Sequence, residues 1–100
     1  MIPWYISVDV ETAGPYPGRY SLLAIGACAV ADPAEAFYAE LRPERPGADP
    51  DAVAVSGLSL ERLAVEGEDP AAAFGRLSEW AEGITPAGHR LVFVGFNAPF

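Results

Sequence analysis

The chain predicts an α/β fold around a mixed sheet, with its main elements in the order β-β-β-α-α-β. Three observations carry this. The N-terminal part holds three apolar, strand-like stretches separated by turns rich in Gly, Pro and Asp. The dipeptide Asp-Pro then occurs twice, at Asp49-Pro50 and Asp69-Pro70, and each is a start signal for a helix. After the helices comes the continuous apolar run "RLVFVGF". A strand reached through helices pairs in parallel with one of the earlier strands.

Taken in order, residues 4–11 alternate strictly. Trp4, Ile6, Val8 and Val10 fall on one face; Tyr5, Ser7, Asp9 and Glu11 fall on the other. "AGPYPGR" is a turn-rich loop, and "YSLLAIGACAV" reads as a mostly buried strand. "ADPAE" turns the chain, and "AFYAELRP" alternates again, so these two strands form a hairpin. Asp49 caps "PDAVAVSG", with Gly57 at its end, and a short helical segment follows Ser59. Asp69 caps the longer helix "PAAAFGRLSEWAEG". Phe74, Leu77, Trp80 and Ala81 make its apolar face, and Gly83 ends it. "RLVFVGF" has the look of a central strand covered on both faces.

The 100 residues are read as one domain, 1–100, with no internal repeat and no linker. The apolar fraction of 51% supports a packed core. The net charge of −8, with no lysine, does not by itself attract nucleic acid, so a polyanionic substrate would need metal ions or a locally placed arginine. Cys28 is the single cysteine, which excludes an internal disulfide and a cysteine zinc site. No targeting signal is visible and the longest apolar run, "LLAIGACAVA", is too short to span a bilayer, so a soluble, cytoplasmic protein with no membrane partner is expected.

The carboxylates Asp9 and Glu11 are two residues apart on a strand and so share one face at its C-terminal end. Two carboxylates that close repel, and one takes up a proton unless a cation lies between them. Oxygen ligands of this kind suit Mg²⁺ or Mn²⁺.

"VDVETAG", a strand ending in "IGACAV", and then "VFVGFNAPF" together resemble the DnaQ-like 3′–5′ exonucleases, the DEDD family with the ribonuclease H-like fold. The family's first motif, D-x-E-T-x-G, matches Asp9, Glu11, Thr12 and Gly14; its second, N-x-x-F-D, matches Asn97 and Phe100 without the aspartate. "FYAELRP" and "AVAVSGLS" resemble the family's third strand and following helix. The resemblance implies hydrolysis of phosphodiester bonds at nucleic-acid 3′ ends, DNA or RNA, with two divalent ions per intact site. It implies Asp9 and Glu11 as catalytic metal ligands. It places the backbone of Thr12 and Ala13 beside the terminal sugar, Asn97 near the substrate strand and Phe100 near the terminal nucleotide. Asn97 can equally cap a helix beginning at Ala98 or Pro99, and Phe100 can be core. His89 is not the family's histidine base, because no aspartate follows it and "TPAGHR" reads as a surface turn.

The second-motif aspartate and the whole third motif are absent from the 100 residues. The resemblance therefore implies the N-terminal part of a domain truncated before its C-terminal half and inactive alone. A non-catalytic nucleic-acid- or protein-binding fragment of the same fold is the alternative. A haloacid dehalogenase-like phosphatase is a third reading, opposed by Glu11 at the position of that family's second aspartate.

Overall fold

The computed structural model describes residues 1–16 and 18–95. Its elements are β1 (Ile2–Thr12), β2 (Leu22–Ala29), β3 (Ala36–Glu40), α1 (Pro50–Ser56), α2 (Leu60–Glu66), α3 (Pro70–Ile84) and β4 (His89–Gly95). The segment after Ser59 is a full two-turn helix, so the order is β-β-β-α-α-α-β.

The sheet runs β3-β2-β1-β4. β1 pairs antiparallel with β2, β2 antiparallel with β3, and β1 parallel with β4. Leu22, Ala24 and Ile25 pair with β1 on one side, while β4 lies along Ile2 to Val8 on the other. This is the ribonuclease H-like mixed sheet. In the parallel register Val92 stands beside Tyr5 and Val94 beside Ser7, so these two valines share the face of the acids, not that of Ile6 and Val8.

The main core lies between one sheet face and α3. Ile6, Ile25, Ala27, Ala29, Phe37, Ala39 and Leu41 meet Ala73, Leu77 and Ala81 there, with Trp4, Val8 and Val10 against them. Fully burying a side chain the size of Ile6 stabilises by about 1.5–3 kcal/mol, so this face drives folding. The small residues of α3 let the helix sit close to the sheet. Phe74, expected on this face, is 44% exposed, because Ala73 takes the position over the core. Gly83 does not end α3. The helix runs to Ile84 and is capped by Thr85, whose hydroxyl donates to the Ala81 carbonyl at 2.7 Å.

Helix starts follow the sequence closely. The side chains of Asp49, Ser59 and Asp69 accept hydrogen bonds from Asp51, Arg62 and Ala72 backbone N–H groups. Gly57 closes α1 in the left-handed region at φ 71°.

β4 departs from the expectation of a central strand. Among the described strands it is an edge, and Phe93 and Val94 are exposed. Its continuous apolar character asks for neighbours that the described residues do not supply. His89 is not in a surface turn but opens β4, its ring edge-on to Trp4 at 5.8 Å. No helix of the described residues is long and apolar enough to cross a membrane.

Candidate active site

The acids lie on the face opposite α3. Antiparallel register sets them in lateral rows: Asp9 beside Gly26 beside Tyr38, and Glu11 beside Ala24 beside Glu40. Gly26 puts no side chain beside Asp9, whereas Ala24, beside Glu11, is 2% exposed and covered. Asp9 is exposed, and its Oδ1 accepts the Val10 N–H at 3.0 Å. Glu11 is half-buried, with its position two residues on giving a separation of about 6.6 Å along the strand.

A bulge shapes the end of this face. Glu11 pairs with Ala24 but Thr12 pairs with Leu22, leaving Leu23 unpaired with β1. One extra residue exchanges the faces. Leu22 then packs on the α3 core, while Leu23 enters a second small core with Ala13 and Leu63 of α2. This second core anchors α2 at the acid-bearing end of the sheet. α1 stands beside it: Glu11 and Thr12 share an open cleft of about 310 Å³ with Asp51, Ala52 and Val55.

Thr12 is half-buried on that cleft. Ala13 is 1% exposed. Its N–H donates to Ser21 O at 2.9 Å and its carbonyl accepts from Asp49 N at 2.7 Å, so both backbone groups are engaged within the fold. Asn97 and Phe100 lie outside the described residues.

Three further residues join the acid face without having been singled out from the sequence. Tyr38 donates its hydroxyl to Glu40 at 3.2 Å. Arg62 reaches both oxygens of Glu40 at 3.0 Å and Glu66 at 3.3 Å. These bonds raise the Arg62 pKa above its usual value. Burial, then the Glu40 hydrogen bond and the nearby charge of Glu11, push the Tyr38 phenol above its usual value. The alternation of "AFYAE" puts Tyr38 and Glu40 on one face of β3, but only the pairing register brings that face beside Asp9 and Glu11.

The donor set is therefore two adjacent carboxylates, with Glu40 already held by Arg62. Two oxygen donors on one face are a partial set for a hard divalent cation. Among the described residues no cluster of three or more His, Cys, Asp or Glu side chains could hold an ion.

The mixed sheet with β4 parallel to β1, and the helices packed on it, is the fold of solved exonucleases, and this chain shares it over nearly its whole length. No family model matches the chain. Over 96 residues it is 47% identical to the 3′-5′ DNA exonuclease Cap18 of Escherichia coli, covering 96% of this chain and 51% of that protein. The chain thus spans about half the length of the curated relative it matches. Among solved structures, product-bound exonuclease I superposes with a TM-score of 0.73 at 18% identity, over 97% of this chain and 22% of that one. Cell-death related nuclease 4 superposes at 0.71 and 14% identity, over 94% and 35%. At these identities the two structures speak to fold alone.

Proposed function

We infer that the chain is the N-terminal part of a metal-dependent 3′–5′ exonuclease acting on DNA. One observation carries the reading: Asp9 and Glu11 stand side by side on an open sheet face, in a chain 47% identical to a protein named as a 3′-5′ DNA exonuclease. Asp9 and Glu11 would hold Mg²⁺ or Mn²⁺, two ions in an intact site, which supply charge neutralisation at the scissile phosphate. The chain's own residues do the rest. Gly26 leaves the space beside Asp9 free of a side chain. Thr12 borders the cleft where the terminal nucleotide would sit. Arg62 holds Glu40 out of competition for the cation. Asn97 and Phe100 remain proposed substrate contacts.

Residues 1–100 are proposed as part of one exonuclease domain and as inactive alone. They hold two of the four acids of the DEDD pattern and no general base of the His or Tyr type, a group worth about 10²–10⁴-fold. A 5′-labelled single-stranded oligonucleotide incubated with Mn²⁺ tests this on one gel. The 100-residue chain leaves the oligonucleotide intact. A longer chain that supplies the missing acids shortens it from the 3′ end and loses that activity on Asp9→Ala or Glu11→Ala. Robust trimming by residues 1–100 that survives Asp9→Ala overturns the assignment.

A further inference from the structure

The chain carries a net charge of −8 and six arginines. Three of them are spent on carboxylates: Arg42 on Asp69, Arg62 on Glu40 and Glu66, and Arg76 on Glu68. Among the described residues Arg19, Arg45 and Arg90 make no ion pair and no side-chain hydrogen bond. Arg90 pairs with Pro3 at the N-terminal end of β1. Arg19 and Arg45 stand at the other end, on the two loops that follow β1 and β3.

Those loops are bound to each other. Ser21, only 4% exposed, accepts the N–H groups of Glu44 and Arg45, each at 2.9 Å. The Tyr20 ring fills the gap between them, packed against Gly14 and near Gly47. Tyr16 stacks on Tyr20 with centroids 6.4 Å apart and planes 28° apart, and is itself 60% exposed. The Arg19 guanidinium lies 5.9 Å from the Tyr20 centroid, within cation–π range. A groove of about 140 Å³ runs beside this stack, lined by Tyr20, Glu44, Arg45 and the half-exposed Phe74. Glu44 and Asp49 stand on the same loop as Arg45, yet neither Arg19 nor Arg45 is paired with a carboxylate among the described residues.

The exposed ring of Tyr16 combined with unpaired arginines matches what an unpaired strand offers. Its bases present free faces for stacking, and its phosphates present oxygens to the guanidinium fork. A duplex hides its base faces and would use only the charge. We propose that Tyr16, Arg19 and Arg45, with Tyr20 backing the stack, form a docking surface for single-stranded nucleic acid upstream of its 3′ end, at the end of the sheet where β1 and β3 finish. The surface rests on the exonuclease reading for the direction of the strand, though not for its chemistry.

Fluorescence anisotropy of a labelled single-stranded oligothymidylate against the full chain, in EDTA and over a range of salt, tests it. Circular dichroism confirms that each variant is folded. Tyr16→Ala, at an exposed position, weakens binding by about 5- to 100-fold, the loss of one stacked base. Arg19→Ala and Arg45→Ala each reduce the slope of log K against log salt by about 0.7, the loss of one phosphate contact. Arg90→Ala changes neither affinity nor slope, since Pro3, its register partner, is about 26 Å along β1 from Glu11. If a longer chain fails to trim while these effects hold, the exonuclease reading falls and the docking surface stands. No binding by the wild-type chain, equal affinity for a duplex, or equal slopes for Arg19→Ala, Arg45→Ala and Arg90→Ala overturns the surface.

Discussion

Glu11 and Glu40 stand in one lateral row of the sheet, each a register partner of the same residue, Ala24. They differ in what holds them. Arg62 binds both oxygens of Glu40, whereas no hydrogen bond engages the Glu11 carboxylate among the described residues. The acid face therefore offers Asp9 and Glu11 to a cation and withholds Glu40.

Metal binding follows from this asymmetry. Isothermal titration with Mn²⁺ should show weak binding to the wild-type chain, because two carboxylates are a partial ligand set. Asp9→Asn should abolish the heat, and Glu40→Gln should leave it unchanged. Equal heats from the wild type and Asp9→Asn would count against the site.

Tyr38 reports on the same face at high pH. Burial and the Glu40 hydrogen bond raise its folded pKa above 10.0. A raised folded pKa means a contribution to stability that is fully present below pH 10.0 and is lost as pH rises through the folded value. Ultraviolet titration of tyrosinate should place Tyr38 as a late-ionising tyrosine. Glu40→Gln should move its midpoint down, and an unmoved midpoint would show that the carboxylate has no part in the shift.

Gly14 has a packing role of its own. A Cβ built there would collide with the Tyr20 ring. Gly14→Ala should cost about 1–3 kcal/mol, the usual range for overpacking, read as a lower midpoint in urea. A double variant that also shortens the ring, Gly14→Ala with Tyr20→Leu, should recover part of the loss. Gly14→Ala at wild-type stability would mean that the ring moves freely.

Two apolar residues of α3 should separate cleanly. Leu77 is 7% exposed and packs in the main core, so Leu77→Ala should destabilise by about 2–5 kcal/mol. Phe74 is 44% exposed and should cost clearly less, since nearly half of its surface stays in water in the folded chain. Equal denaturation midpoints for the two variants would contradict the helix orientation.

Local signals decided most of what is seen. The alternation of residues 4–11 fixes which side chains share the face of Asp9 and Glu11, because the period of a strand is two whatever surrounds it. Asp49, Ser59 and Asp69 set the helix starts by short-range hydrogen bonds to their own helices. The parallel partnership of β1 and β4 follows from a strand returning through helices. What only tertiary structure decided depends on contacts distant in sequence. The register of β2 and β3 brings Tyr38, Glu40 and Arg62 to the acids. The bulge at Leu23 exchanges two leucines between cores that look alike in sequence. The rotation of α3 turns Ala73 inward and Phe74 outward, because the close approach of helix to sheet rewards a small side chain over a large one. Propensity and period act over a few residues; pairing register and packing depth are settled only when distant segments compete for the same space.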